Sequence, residues 1–118
     1  MRFLNIGLPR LGQDTLPKAL KKAGLRCANW YAPDLKLHVG QVMYRDYLLR
    51  KDPLAAFGAY DAVTQADVVN DQGSFWPQMD LSLLRMVREY HPDCAFVLFR
   101  RRADDILDDI DRHTDFRE

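Results

Sequence analysis

The sequence predicts one three-layer α/β domain built on a mostly parallel sheet of about four strands. Three observations lead there. Short apolar runs alternate with segments of helical periodicity along the whole chain. The run Ala95-Phe96-Val97-Leu98-Phe99 has no polar interruption, which suits a parallel strand covered on both faces. A chain of 118 residues buries roughly two thirds of its unfolded surface around one core and is too short for two. No repeat, low-complexity tract or linker divides residues 1–118.

Taken in order, Phe3-Leu4-Asn5-Ile6 reads as the first strand. Leu16, Ala19, Leu20 and Ala23 then recur at i, i+3, i+4 and i+7, an apolar helical stripe that stops at Gly24. Residues 25–30 read as a second strand. Pro33-Asp34 is expected to open a second helix with Leu35, Val39, Val42, Met43 and Tyr47 on one side, broken by Lys51-Asp52-Pro53. Leu54, Ala55, Ala56 and Phe57 add a turn. Tyr60-Asp61-Ala62-Val63-Thr64 is a third strand and Asp71-Gln72-Gly73-Ser74 a loop. Trp76-Pro77 begins a helix that carries Leu83, Leu84, Val87 and Tyr90 inward until His91-Pro92-Asp93 stops it. Residues 95–99 form the fourth strand, and a last helix starts near Ala103. In such a fold the ligand crevice lies at the C-terminal ends of the strands.

Composition narrows the function classes. Lysine plus arginine equals aspartate plus glutamate, so no whole-molecule field draws in a nucleic-acid polymer or an anionic membrane. The charge is uneven, however. Residues 1–26 carry Arg2, Arg10, Lys18, Lys21, Lys22 and Arg26 against Asp14 alone, a net of +5, and the remainder carries −5. A basic edge beside the first turn suits an anionic ligand, and a solvated helix face accounts equally for Lys18, Lys21 and Lys22. Cys27 and Cys94 have no metal-ligand spacing and read as small buried thiols in a reducing compartment. No long apolar stretch follows the N-terminus. The expectation is a cytoplasmic protein without a metal site or membrane span.

Chemistry is most legible between the first strand and the first helix, in Gly7-Leu8-Pro9-Arg10-Leu11-Gly12-Gln13-Asp14-Thr15-Leu16. An apolar strand feeding a Gly/Pro/basic turn into a helix brings unpaired N–H groups and about half a positive charge to one point. This turn resembles the 5′-phosphosulfate loop of the sulfotransferase family, in the branch reading G-L-P-R-T-G-T-T-S-L. Two later stretches resemble the same branch in the same order. Tyr60-Asp61-Ala62-Val63-Thr64 matches its Y-D-A-V-T-D segment. Tyr90-His91-Pro92-Asp93-Cys94-Ala95-Phe96-Val97-Leu98 matches its Y-P-D-A-K-F-I-L run.

The resemblance covers roughly residues 3–112 and implies a P-loop-like domain. It also implies 3′-phosphoadenosine 5′-phosphosulfate as sulfuryl donor and a hydroxyl or amine acceptor. By position, Arg10 matches the residue on the transferring sulfuryl oxygens and is the catalytic candidate. Gly7, Pro9, Arg10, Gly12 and Thr15 would hold the 5′ end of the nucleotide, and Arg101 its 3′-phosphate. Sulfuryl transfer asks of a protein mainly a cation and dipoles aimed where charge builds up. The family continues with helices that close over the acceptor, so the resemblance implies a domain truncated at its C-terminus.

Several residues depart from the pattern. Leu11, Gln13 and Asp14 replace the hydroxyl residues of the turn, Asp109 replaces a phosphate-binding serine, and Arg102 and Ala103 replace an aspartate and a proline. Gln65 and Asp67 stand for the D and P of the T-D-x-P segment. Each hydrogen bond lost to a charged phosphate is worth about 1.5–3 kcal/mol. A carboxylate in contact costs up to about 4 kcal/mol at an effective dielectric near 20. A micromolar ligand binds with only about 8 kcal/mol in all. The expected consequence is impaired transfer, with a non-catalytic P-loop-like binding or interaction module as the alternative. Pro17 has no N–H for residue 13, so an unbroken helix starts no earlier than Asp14, and Asp14 or Thr15 also serves as a plain N-cap.

Other candidates carry structural readings beside functional ones. Arg10 can equally satisfy loop carbonyls or pair with Asp14. Arg100, Arg101 and Arg102 can pair with Asp104 and Asp105. The acidic stretch 104–109 lacks a partner motif and reads as a solvated helix face. His38 falls where a crevice base could arise, but like His91 and His113 it has no Ser or Cys partner in spacing. Trp30 and Trp76 read as core and rim.

Overall fold

The computed structural model describes residues 1–7 and 15–98. The turn residues Pro9, Arg10, Gly12 and Asp14, together with Arg101, Asp109 and the helix expected near Ala103, lie outside the described residues. The elements are β1 (Phe3–Asn5), α1 (Thr15–Lys22), β2 (Cys27–Asn29), β3 (Tyr31–Ala32), β4 (Leu37–His38), α2 (Val39–Arg50), β5 (Ala62–Gln65), β6 (Val68–Asn70), β7 (Gly73–Phe75), α3 (Leu81–Tyr90) and β8 (Ala95–Val97). A single 3-10 turn, Pro77–Met79, precedes α3.

The main sheet runs β4-β3-β2-β5-β1-β8. Its four predicted strands, β2, β5, β1 and β8, are all parallel, as the α/β reading requires. Leu4 lies level with Val63 on one side and Phe96 on the other. The step from β1 to β2 runs one way across the sheet, and the steps to β5 and then β8 run back. Right-handed crossovers therefore send α1 to one face and α2 and α3 to the other, where α2 and α3 touch each other. Leu4, Val63, Val39, Val42, Met43, Leu83 and Val87 are fully buried between the sheet and these two helices. Gly24, at φ 82°, ends α1 in the left-handed conformation that glycine adopts without steric cost.

Four expectations need correction. Pro33-Asp34 does not open a helix. Residues 33–36 turn between β3 and β4, with Leu35 and Lys36 N–H donating to the Ala32 carbonyl and Lys36 at φ 55°. The chain is thereby held as two antiparallel strands beyond β2, and α2 begins only at Val39. Residues 71–74 are not merely loop, because Gly73 turns the chain at φ 145° into the hairpin β6–β7. The third helix starts at Leu81 rather than at Trp76-Pro77. Asp80 caps it, its carboxylate accepting from Leu83 N–H, and Leu83, Leu84 and Val87 turn inward while Tyr90 stays half exposed. Finally, β8 is not covered on both faces by the described residues: Ala95 and Leu98 are exposed. Among the described residues no helix is long and apolar enough to cross a membrane.

Candidate functional site

The crest formed by the C-terminal ends of the parallel strands is organised by a polar chain that crosses three of them. Asn5, buried at the end of β1, donates from Nδ2 to the Thr64 carbonyl on β5 at 3.1 Å. Its Oδ1 accepts the N–H of Gly7 at 3.1 Å. The Thr64 hydroxyl donates to Asn29 Oδ1 on β2 at 2.9 Å. Ile6 N–H donates to the Val97 carbonyl at 2.9 Å, tying the exit of β1 to the exit of β8. These bonds satisfy polar groups that would otherwise be costly to bury, and they brace the point where the Gly/Pro/Arg turn leaves the sheet.

Of the sequence-predicted site residues, Gly7 and Thr15 are placed. Gly7 is buried directly above β1, and its N–H is already spent on Asn5. Its amide is committed within the sheet and is not offered to an anion. Thr15 is the first residue of α1, an eight-residue helix; Pro9, Arg10 and Gly12 lie outside the described residues. Arg101 belongs to the segment after β8. β8 lies beside β1, with Asn5 level with Val97, so Gly7 and Leu98, the last described residues after each strand, leave the sheet at the same end.

Arg2 precedes β1 and Arg26 precedes β2, so both sit at the opposite edge of the sheet from the turn. Arg26 is paired with Asp34 and its guanidinium lies 4.7 Å from the centre of the Tyr60 ring. Lys21 and Lys22 occupy the last turn of α1, roughly 9 Å of helix rise from its start. Lys18, Lys21 and Lys22 are all exposed, which agrees with the solvated-face reading of α1. An open cavity of about 490 Å³ runs between α1 and β2, with Pro17, Lys21, Cys27 and Asn29 in its wall. Burial, and then the charge of Asp61, push the Cys27 thiol up, and burial pushes Cys94 up. Both are free thiols; Cys94 is buried as expected, whereas Cys27 is only partly buried, at the wall of the cavity. No group of three or more metal-ligating side chains gathers among the described residues.

Trp30 follows the end of β2. Its backbone is left-handed at φ 67°, a conformation that costs a non-glycine residue about 1–2 kcal/mol. Two bonds hold it there: Trp30 N–H donates to the Gln65 carbonyl at 2.7 Å, and Val39 N–H donates to the Trp30 carbonyl at 2.9 Å. The side chain is nonetheless 45% exposed. His38 meets Trp30 edge-on at 4.6 Å and Tyr31 at 5.2 Å between ring centres. Its Nδ1 is sealed from solvent and has no hydrogen-bond partner among the described residues. His91 instead pairs with Asp52 at 2.8 Å, far from the crest, in the loop below α2. Next to β5, the buried Asp67 carboxylate accepts from Gln78 Nε2 at 3.2 Å.

Compared with protein-family models, with curated proteins and with solved structures, the chain gives no match in any of the three.

Sequence reasoning missed Asn5, Thr64, Asn29 and Trp30 as parts of one crest. The available signal was the polar residue at the end of each apolar strand. Asn5, Asn29 and Thr64 interrupt runs that alternation or full burial would otherwise fill with apolar side chains.

Proposed function

We propose that this chain is a sulfotransferase-like, P-loop-like domain whose first turn is an inherited cradle for the donor 3′-phosphoadenosine 5′-phosphosulfate and whose transfer of a sulfuryl group to a hydroxyl or amine acceptor is impaired. The observation that carries the reading is the strand order. β1 lies between β5 and β8, so the chain leaves β1 at Gly7 and β8 at Leu98 on adjacent strands, which supports one nucleotide reaching both the turn after β1 and the residues after β8. In this reading Arg10 faces the transferring group, the N–H groups around Gly12 and Thr15 face the 5′-phosphate, and Arg101 faces the 3′-phosphate.

The impairment follows from what those places contain. Gly7 has spent its N–H internally, the hydroxyls of the related turns are replaced by Leu11, Gln13 and Asp14, and the second phosphate position has Asp109. The two added carboxylates favour a second reading, a non-catalytic binding or interaction module that keeps the fold and has lost the donor.

Calorimetry with 3′,5′-adenosine bisphosphate at low salt separates the readings. The expected result is no heat at micromolar concentrations for the unmodified chain and recovered binding for the triple variant Leu11→Thr/Gln13→Thr/Asp14→Thr. Micromolar binding by the unmodified chain would refute the impairment. No binding by either chain would refute the cradle itself and leave the module.

A further inference from the structure

We infer that Trp30, backed by His38 and Tyr31, is a binding platform for the planar aromatic ring of a small molecule at the crest of the sheet. The inference stands independently of the donor reading, because it concerns the β2 end of the crest and not the phosphate turn.

Three observations carry it. First, Trp30 holds a backbone conformation that glycine would adopt without steric cost, yet the side chain kept there is the largest available and is nearly half exposed. Such an outlier persists only where its surroundings over-determine it, and the hydrogen bonds to Gln65 and from Val39 do so. Second, the indole is set in place by packing. The His38 ring stands edge-on against it and against Tyr31, so stacking a ligand on the outer face requires little further loss of side-chain freedom. Third, Trp30 lies at the C-terminal end of the parallel strands, the side on which such sheets bind ligands, one strand from the β5–β1 boundary where the connections reverse. Asn29 commits Oδ1 to Thr64 and is itself exposed, which leaves its Nδ2 as a donor to a ligand oxygen beside the indole.

A neutral ring fits this place better than a charged one. No carboxylate or cation of the described residues bonds to Trp30, Tyr31 or His38. The attraction available is the face of one π-system for another.

The test uses the intact chain and a matched pair of probes, benzyl alcohol and cyclohexylmethanol, which differ in the aromatic character of the ring. Nitrogen–proton spectra give one indole signal for each tryptophan, told apart with Trp76→Phe. Benzyl alcohol should shift the Trp30 indole and the His38 ring signals along a saturating curve. It should bind about two- to tenfold more tightly than cyclohexylmethanol, the contribution of one aromatic pair. Trp30→Leu should abolish the shifts at His38, and Trp30→Phe should keep them. Equal binding of the two alcohols to the unmodified chain would overturn the platform, whatever the variants do. So would a Trp30 signal that does not move, or undiminished His38 shifts in Trp30→Leu. The bisphosphate calorimetry reads the other end of the crest, so failure there leaves this result untouched.

Discussion

Asp80 divides its two carboxylate oxygens between two structural tasks. Oδ1 accepts the Leu83 N–H at 3.2 Å and starts α3, while Oδ2 accepts the Tyr44 hydroxyl at 2.9 Å and ties α3 to α2. Burial, and then the bond to Asp80, push the Tyr44 phenol up to about 12. The raised value means that the fold favours the neutral phenol. The resulting stability is complete below the ordinary tyrosine value near 10 and is lost as pH climbs from about 10 to about 12. Thermal melts over that range should show the unmodified chain losing stability more steeply than Tyr44→Phe, which has no phenol to ionise. Near neutral pH, urea unfolding of Tyr44→Phe should show a loss of about 0.5–1.5 kcal/mol. Asp80→Ala, which removes the cap as well, should lose about 1–3 kcal/mol. Equal losses in the two variants would show that the cap contributes nothing.

At the scale of elements, the start of α2 is marked by close approach. A Cβ built on Gly40 would lie 2.3 Å from the Ala66 carbonyl oxygen, a backbone atom, with Phe75 and Pro77 at 3.4 Å. Gly40→Ala should therefore destabilise the protein by about 1–3 kcal/mol in urea unfolding, even though alanine favours an isolated helix by about 1 kcal/mol. The opposite sign would mean that α2 does not seat against the segment after β5. The late start of the helix has its cause in the preceding hairpin. Val39, Val42 and Met43 face inward as their spacing predicted, but the turn before them is drawn into the antiparallel pair β3–β4.

The whole molecule depends on the strand at its centre. Leu4 is fully buried in β1, with β5 and β8 hydrogen-bonded on either side. Leu4→Ala should cost about 2–5 kcal/mol and move the entire unfolding transition, because β1 joins β8 to the rest of the sheet. A transition that split in two, monitored by tryptophan fluorescence and far-ultraviolet circular dichroism together, would show that the sheet is not one cooperative unit. The same arrangement gathers charge. Arg2 and Arg26 precede β1 and β2, and α1 runs back against the strand direction so that Lys21 and Lys22 in its last turn come toward the same edge.

The sequence by itself determined the class of the fold, since apolar runs and helical periodicity act through neighbours a few residues apart. The positions of β1, α1, β5 and β8, the inward face of α3 and the stop at Gly24 all follow from such local patterns. It also singled out the turn after β1, because glycine, proline and arginine between a strand and a helix are legible without any tertiary contact. Only the tertiary structure decided that Pro33-Asp34 turns a hairpin, that Arg26 is spent on Asp34 and Tyr60, and that Asn5, Thr64, Asn29 and Trp30 share one crest. The hairpin and the Arg26–Asp34 pair close over fewer than ten residues but need β2 as their support, and the crest and the Arg26–Tyr60 contact join residues tens of positions apart. A hydrogen bond between Asn5 and Thr64, or a carbonyl of Ala66 against Gly40, exists only once the strand order has brought those backbones together.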